Sequence, residues 1–233
     1  MISFKKILAD TLHVFYPSFC MGCGSDTIIK DQLLCLSCLH LLPHTKFAGL
    51  PHNSLEKMFS GRMDIEAAHS EFYFTKGKLV QHLIHQLKYK NNKDIGKYLG
   101  EIMGHSLLQS LRFCKLDYII PLPLYPDKEF KRGYNQSEII CNGIASILSV
   151  PVLNNNVLRQ RATETQTRKR RTERWQNVSD SFVVSRPGEL KNKKILLVDD
   201  VVTTGASLEA CGQAIIAAPI SSLSIATLAI ASK

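Results

Sequence analysis

Residues 195–207 read Ile-Leu-Leu-Val-Asp-Asp-Val-Val-Thr-Thr-Gly-Ala-Ser, and this stretch decides the fold. Its first four residues are apolar and predict a short buried strand, which the carboxylates of Asp199 and Asp200 end. The Thr-Thr-Gly-Ala-Ser turn then leads into 208–217, whose apolar period predicts a helix. Ligands bind at such junctions in α/β sheets, because the helix start offers unpaired N–H groups to an anion. Hydroxyls or a metal are natural partners of the acid pair, so we expect a site for a phosphorylated sugar.

An alternative explanation of this stretch is a helix capped by Thr or Ser after an ordinary core strand. That explanation leaves Asp199 and Asp200 without a role, although neighbouring carboxylates at the end of a buried strand repel each other and lose solvation. The stretch also resembles, at every position, the phosphoribosyl diphosphate signature of type I phosphoribosyltransferases. We therefore interpret it as a ligand site.

The length and composition of the chain bound the other possibilities. With 233 residues, 45% of them hydrophobic, the chain has room for one α/β core and a small appendage. Apolar residues at helical spacing predict an amphipathic helix at the N-terminus, interrupted by Asp10 and His13. This helix is too polar for a signal peptide and too short to cross a membrane, so we expect no membrane insertion and a cytoplasmic location.

Positive charge is concentrated in one part of the chain. The formal net charge is +9, and residues 154–194, with eleven Lys or Arg against four Asp or Glu, hold +7 of it. Such a cluster indicates an anionic partner, either a polyphosphate or a nucleic acid. A solvated charged loop explains the charge equally well, and both explanations stay open.

Two Cys-x-x-Cys pairs predict a metal site near the N-terminus. Cys20 with Cys23 and Cys35 with Cys38 can place four thiolates in a tetrahedron around a structural Zn²⁺. Redox-active pairs or buried free thiols are the alternatives, but redox motifs usually stand alone after a strand. Such a small unit has almost no apolar core, so we expect the metal to supply most of its stability.

The remaining patterns predict alternating strands and helices. Residues 43–60 have no clear period and are interpreted as a connector. The predicted strands are 67–75, 117–124, 152–158 and 222–230, and the predicted helices are 78–89, 95–111 and 138–148. This alternation is typical of an α/β fold.

Two basic segments accompany these elements. Residues 128–137 bring basic side chains to a glycine and a helix start, which describes either a second anion site or a plain capped loop. Residues 159–171 are polar and basic without an apolar anchor, and we expect them to be mobile when empty. That second segment is suited to close over a bound polyphosphate and to exclude water.

Taken together, the motifs resemble the ComF family of bacterial competence proteins nearly from end to end. The resemblance rests on blocks in the family's order and spacing: Phe15–Pro17, Leu34–Cys35, Cys38–Leu39, Leu83–Tyr89, Pro121–Leu124, Arg132–Ser137, Arg159 with Arg161, Thr165–Gln166, Arg174, Asn177–Val178 and 195–207. The chain departs from the family pattern at Lys169, where leucine is usual, and at Pro219, where glycine is usual.

The resemblance implies an α/β chain with a type I phosphoribosyltransferase fold, a central mostly parallel sheet flanked by helices, and a small N-terminal zinc-finger module with four cysteine ligands. The implied domains are 1–45, with the amphipathic helix and the zinc finger, and 60–233, with the phosphoribosyltransferase-like domain. The implied ligands are structural Zn²⁺ and phosphoribosyl diphosphate with Mg²⁺. The implied role is natural transformation, in which the protein handles incoming single-stranded DNA, with a competence helicase or a recombination mediator as a protein partner.

Candidate site residues follow by matching these motifs. Asp199 and Asp200 would bind ribose hydroxyls or Mg²⁺, and Arg132 and Arg161 would stabilise charge on the leaving pyrophosphate. The substrate-binding candidates form the phosphate turn and the pyrophosphate loop: Val201, Val202, Thr203, Thr204, Gly205, Ala206, Ser207, Leu122, Pro123 and Leu124. The nucleic-acid-binding candidates are the basic residues Arg168, Lys169, Arg170, Arg171 and Arg174.

Two functions from different classes remain in competition. One is a phosphoribosyltransferase in which a nucleophile displaces pyrophosphate from the anomeric carbon, working in nucleotide or amide metabolism without a direct DNA role. The other is a DNA-uptake factor that binds single strands, with Trp175, Tyr134 and Tyr89 as stacking candidates. The two are compatible, since phosphate-binding loops suit either ligand.

Overall fold

The structure, a computed structural model, describes residues 19–26, 28, 32–160 and 182–231. Its helices in chain order are α1 (Leu36–His40), α2 (Ser54–Phe59), α3 (Leu79–Tyr89), α4 (Lys93–Leu108), α5 (Pro126–Arg132), α6 (Gln136–Leu148) and α7 (Ala206–Ile216). Its strands are β1 (Ala67–Phe74), β2 (Tyr118–Pro121), β3 (Val157–Arg159), β4 (Phe182–Val184), β5 (Lys194–Val202) and β6 (Ser222–Ala231).

The central sheet has the strand order β1-β6-β5-β2, and all of its pairings are parallel. Alternate side chains of β5 face opposite helical layers, as strand geometry requires. Leu196 and Val198 join the core formed with α3, α4 and α6, whereas Ile195 and Leu197 join the core formed with α2 and α7. Because the strands are parallel, their carboxyl ends lie at one edge of the sheet, where the acid pair follows Val198.

Three predicted strands have different bounds in the structure. The acid pair does not end β5, because Val201 and Val202 still pair with Ala229 and Ile230 of β6. The strand predicted at 117–124 covers only β2, since prolines lack the N–H that would continue a ladder. The strand predicted at 152–158 is reduced to β3, and Val152 forms only an isolated bridge.

Two short helices lie where the sequence predicted irregular backbone. The connector at 43–60 contains α2, whose N–H groups at Leu55 and Glu56 donate to the Asn53 side chain at 3.0 and 3.1 Å. The first half of the basic segment, 128–132, belongs to α5, which starts at a proline and is followed by Gly133 with a positive φ of 78°. Both helices are too short to show a clear apolar period.

The cysteine-containing module packs directly against α3. Leu34 and the buried Cys35 belong to the same apolar core as Leu83 and Leu87, and Gln86 Nε2 donates to the Met21 carbonyl at 2.6 Å. The expectation that this module has almost no apolar core is therefore wrong, because it shares the core of the larger unit. The predicted N-terminal helix lies outside the described residues, and the division at 45 and 60 stays a prediction.

In the described part of the chain, no helix is long and apolar enough to cross a bilayer.

Candidate functional site

The phosphate turn joins β5 to α7 and is shaped by one glycine. Gly205 precedes the first residue of α7 and has a φ of 76°, a conformation that favours glycine. A β-carbon at this position would also lie 2.9 Å from Phe59 Cε1 and 3.0 Å from Met58 Sδ of α2. Two constraints, backbone conformation and space, thus require glycine at the centre of the predicted motif.

The start of α7 is open to a ligand. No side chain in the described structure caps this helix end, and the closest approach is the weak donation of the Ala206 N–H to Thr204 Oγ1 at 3.5 Å. A cavity of 100 Å³ lies over the helix start and is lined by Asp199 and residues 201–208. All seven residues from 201 to 207 that the sequence predicted to bind substrate therefore line one small cavity. The unpaired N–H groups and the helix dipole suit a phosphate there.

Arg62 braces the phosphate turn from outside the motif. Its Nη1 donates to the Thr204 carbonyl at 3.3 Å, and its guanidinium forms an ion pair with Glu209 of α7. The sequence analysis missed this residue because it directly follows the segment interpreted as a connector. Two contacts of a single arginine thus tie the turn to the helix that it begins.

Asp199 lies in a setting that disfavours its ionised form. Ser137 Oγ donates to Asp199 Oδ1 at 3.1 Å, and the Asp200 backbone N–H donates to the same oxygen at 2.8 Å. Burial, followed by the charge of Asp200, raises the pKa of the Asp199 carboxyl well above its usual range, although these hydrogen bonds and Lys88 oppose the shift. A carboxyl with this pKa titrates near neutrality and gains from a cation or a hydroxyl donor.

Asp200 forms an ion pair with a lysine side chain of the same protein. Lys88 Nζ, near the end of α3, lies 2.7 Å from Asp200 Oδ2, and both side chains are largely buried. The sequence analysis did not assign Lys88 or Ser137 to the site, because they precede the acid pair by 112 and 62 positions. Both residues lie in blocks that support the resemblance to the ComF family, Leu83–Tyr89 and Arg132–Ser137. These blocks are the sequence signal that could have identified them as site residues.

The predicted pyrophosphate loop lies on the neighbouring strand end. The Leu122 N–H donates to the Val198 carbonyl at 2.8 Å, which places residues 122–124 beside the acid pair. Asn135 Nδ2 donates to the Leu122 carbonyl at 3.0 Å, while Asn135 Oδ1 accepts from the Ser137 N–H at 3.0 Å. Asn135 therefore fixes this loop to the start of α6, the helix whose Ser137 reaches Asp199. No cis peptide bond occurs in the described residues.

The predicted cationic and stacking residues have different environments. Arg132 Nη1 donates to Gln136 Oε1 at 2.6 Å, and its guanidinium lies 5.5 Å from the centre of the exposed Tyr89 ring. Tyr134 is buried and its hydroxyl donates to the Leu87 carbonyl, so the expectation that it stacks on bases is wrong. Arg161, Trp175 and the basic candidates at 168–174 lie outside the described residues.

The basic segment that begins at Arg159 starts in a strand that pairs with a strand later in the chain. Arg159 of β3 and Phe182 of β4 are partners in a short antiparallel ladder. The Arg159 guanidinium lies between two rings, 3.9 Å from the centre of Tyr125 and 4.9 Å from that of Phe182. The first residue of the basic segment 159–171 is thus held beside Tyr125, which directly follows the predicted pyrophosphate loop.

The four cysteines of the predicted zinc site converge. The Sγ atoms of Cys20, Cys23, Cys35 and Cys38 all lie within 4.8 Å of one another. Cys23 Sγ and Cys35 Sγ are 3.7 Å apart, close to the edge of about 3.8 Å that a Zn–S bond of about 2.3 Å gives in a tetrahedron.

The backbone around these sulfurs also suits a metal. The N–H groups of Cys35 and Gly22 donate to Cys20 Sγ at 3.2 and 3.4 Å. Although burial opposes ionisation, such backbone donors lower the pKa of the Cys20 thiol to about 6. Burial and the other three cysteines raise the pKa of Cys38. One ionised and one strongly neutral thiol in the same cluster is a conflict that Zn²⁺ would remove, so the residues fit this metal.

The comparisons with known proteins first define the class. The family described as "Phosphoribosyl transferase domain" matches residues 136–233, which include α6, the acid pair and the phosphate turn. Among solved structures, the chain is similar to glutamine phosphoribosylpyrophosphate amidotransferase from B. subtilis, at 16% identity and a TM-score of 0.44, over 62% of this chain and 30% of that one. The chain carries a phosphoribosyltransferase-type domain with a parallel central sheet.

Three curated relatives are similar to this chain. Competence protein F of Haemophilus influenzae is 27% identical over 83% of this chain and 89% of its own length. DNA utilization protein YhgH of Escherichia coli K12 is 31% identical over 56% of this chain and 58% of its length, and competence protein ComFC of Streptococcus pneumoniae is 31% identical over 52% and 50%. The chain is thus similar to competence proteins F and ComFC, which agrees with the resemblance of its motifs to the ComF family. It spans only about half the length of the last two relatives.

Proposed function

We propose that this protein binds phosphoribosyl diphosphate together with Mg²⁺ and uses that site while handling single-stranded DNA in natural transformation. The observation that carries the proposal is one small cavity in which Asp199, the first residue of the acid pair, lies beside an uncapped helix start. The α7 N–H groups and the hydroxyls of the turn suit the 5-phosphate. Asp199 and Asp200 suit the ribose hydroxyls or Mg²⁺, which prefers carboxylate oxygens and supplies positive charge beside a diphosphate.

The role in DNA uptake is supported by the names of the relatives and by charge. Three relatives carry the names competence protein F, competence protein ComFC and DNA utilization protein. The net charge of +9 favours a polyanionic partner over a neutral metabolite. A cytoplasmic location and a helicase or recombination partner belong to the same proposal.

Phosphoribosyl transfer is a second candidate activity of the same site. A carboxyl whose pKa is shifted toward neutrality, as that of Asp199 is, is typical of catalytic sites. In such a reaction a nucleophile forms a bond to the anomeric carbon while pyrophosphate leaves with the bonding electron pair. Release of pyrophosphate that depends on an added acceptor distinguishes this activity from binding alone.

Isothermal titration calorimetry tests the binding proposal. We expect the full chain to bind phosphoribosyl diphosphate with Mg²⁺, and the Asp199→Asn, Asp200→Asn double variant to lose about 100-fold or more in affinity. An Asp64→Asn, Asp94→Asn variant removes the same charge from exposed positions and should bind normally. Absence of binding at millimolar ligand, or equal loss in both variants, would refute the proposal.

Transformation efficiency tests the biological role in a naturally transformable host that carries this protein as its only copy. We expect an Asp199→Ala, Asp200→Ala strain to lose transformation by chromosomal and by plasmid DNA, since both enter as single strands. A Cys35→Ser strain reports on the cysteine module. Normal transformation in the acid-pair strain, with loss only in the Cys35→Ser strain, would instead favour a scaffolding role.

A further inference from the structure

A groove separate from the phosphate cavity lies between α5 and the junction of α3 with α4. Its volume is 770 Å³, against 100 Å³ for the cavity over the phosphate turn. We call it the basic groove, because five of its lining residues are cationic: Lys88, Lys93, Lys128, Lys131 and Arg132. Among the described residues that line it there is no Asp or Glu. Lys88 is paired with Asp200 outside the groove, but a lining that is cationic and free of carboxylates favours a polyanion over a solvated ion-pair network.

Two aromatic rings project from the same walls. Tyr89 is 65% exposed and Phe130 is 90% exposed, and both line the groove. An exposed phenylalanine ring does not contribute the stabilising free energy that its burial would provide. The helix α5, which contains Phe130, has no buried residue. The Arg132 guanidinium lies over the Tyr89 ring, 5.5 Å from its centre, so a cation and an aromatic ring are already neighbours in the groove.

We propose that the basic groove binds single-stranded nucleic acid, with bases stacked on Tyr89 and Phe130 and phosphates held by Lys128 and Lys131. This inference rests on the proposed handling of single strands and names the surface that performs it. Stacking needs base faces, which a duplex hides and a single strand exposes. A diphosphate alone would use the cations but would leave both rings in water.

The groove meets the phosphosugar site at a single residue. Lys88 lines the groove and also contacts Asp200 at 2.7 Å. Tyr89 and Phe130 do not line the cavity over the phosphate turn. Removal of the two rings should therefore weaken nucleic acid binding while it leaves the affinity for phosphoribosyl diphosphate unchanged.

The proposal can be tested by fluorescence anisotropy with a dye-labelled oligothymidylate. A length of about 20 nucleotides exceeds the stretch that one single-strand-binding fold covers. We expect the Tyr89→Ala, Phe130→Ala variant to lose about 25-fold or more in affinity, since stacking on each of the two rings contributes about fivefold to 100-fold. The Tyr89→Phe, Phe130→Tyr variant keeps both rings and should bind like the wild type. A Leu108→Ala, Leu111→Ala variant, which removes exposed apolar side chains elsewhere, should also bind normally.

The salt dependence tests the cations separately. For a Lys128→Ala, Lys131→Ala variant, the slope of log affinity against log salt should fall by about 0.7 for each lost phosphate contact. A Lys57→Ala, Lys191→Ala variant removes equal charge from exposed positions outside the groove and should keep the slope. A slope that falls equally in both variants would contradict the assignment of the groove lysines to phosphates.

Several other outcomes would overturn the groove as the binding surface. These are normal oligonucleotide binding after loss of both rings, equal weakening by the control variants, equal competition by duplex DNA or polyglutamate, and no binding by the wild type. Calorimetry with phosphoribosyl diphosphate on the same samples shows whether the phosphosugar site survives such a result.

Discussion

The cysteine cluster and the acid pair both crowd groups that repel one another when ionised, but they differ in how the repulsion is relieved. Four sulfurs within 4.8 Å receive backbone N–H donors but have no cationic side chain among their described contacts. The acid pair instead has Lys88 on Asp200 and the Ser137 hydroxyl on Asp199. The first arrangement suits a resident metal, whereas the second already contains a cation and a hydroxyl donor from its own chain.

Loss of the metal should have the largest effect on the molecule. Cys35→Ser should reduce bound zinc from one ion per chain to none, because three sulfurs no longer complete the tetrahedron. It should lower the free energy of unfolding by roughly 4 kcal/mol or more, the range typical of losing a structural metal, since the cluster shares the core beneath α3. Metal analysis by mass spectrometry and urea denaturation measure the two effects.

The exposed Cys114 provides the matched control. Cys114→Ser should retain the metal and unfold within about 0.5 kcal/mol of the wild type, as surface substitutions usually do. Full zinc content in the Cys35→Ser variant would contradict the assignment of the cluster.

Glu71 shows what a buried carboxylate looks like when its partners are complete. His44 Nδ1 lies 2.6 Å from Glu71 Oε1, His69 Nε2 lies 2.8 Å from Oε2, and Ser106 Oγ donates to Oε1 at 3.2 Å. Although burial works in the opposite direction, these hydrogen bonds lower the pKa of Glu71 to about 2. Asp199, with fewer partners and a neighbouring charge, is shifted the other way.

The Glu71 shift predicts a pH-dependent stability. Its folded pKa is below the unfolded value of about 4.3, so it contributes about 3 kcal/mol above that pH and loses the contribution as the pH falls toward 2. Glu71→Gln should therefore cost about 3 kcal/mol at pH 7 and roughly half of that at about pH 3. Urea denaturation at both pH values checks this, with Glu101→Gln, at a surface ion pair, as the control. A cost independent of pH would show that packing, not charge, explains the variant.

The sequence predicted the part of the site that is continuous along the chain. Residues 195–207 gave the strand, the turn, the helix and the acid pair, because phosphate turns depend on local backbone conformation and on Gly205. The sulfur cluster was predictable for the same reason, since each cysteine pair forms one local turn. Residues 136–233 then account for the family match.

The rest depended on contacts between distant segments. Lys88 and Ser137 meet the acid pair only because the helices α3 and α6 respectively end and begin near the same sheet edge. Arg62 follows a helix too short to show a period. The error over Tyr134 has a similar origin, since only the fold shows that its hydroxyl donates to the Leu87 carbonyl.

Replacement of Lys88 should have a smaller effect, and it tests how the repulsion within the acid pair is relieved. If this lysine is the internal cation of the acid pair, Lys88→Met should raise the affinity for Mg²⁺ alone at about pH 9, well above the pKa of about 7 that Asp199 has in the wild type. We expect a change of about tenfold, equivalent to about 1.4 kcal/mol. Calorimetric titration with Mg²⁺ measures it, and Lys90→Met, at an exposed position, is the control. Unchanged or weaker binding in Lys88→Met would mean that the lysine does not act as the counter-ion.

The acid pair as a binding site is tested most directly by the pH dependence of the affinity for phosphoribosyl diphosphate with Mg²⁺. Burial and the charge of Asp200 raise the pKa of Asp199 to about 7, and the ionised form binds a metal and accepts ribose hydroxyl donors more strongly than the neutral acid does. The affinity of the wild type should therefore rise about tenfold more between about pH 6 and about pH 8 than the affinity of the Asp199→Asn variant does. The variant serves as the reference, because its pH dependence reports the titration of the ligand alone. Parallel curves for the two proteins would contradict the account.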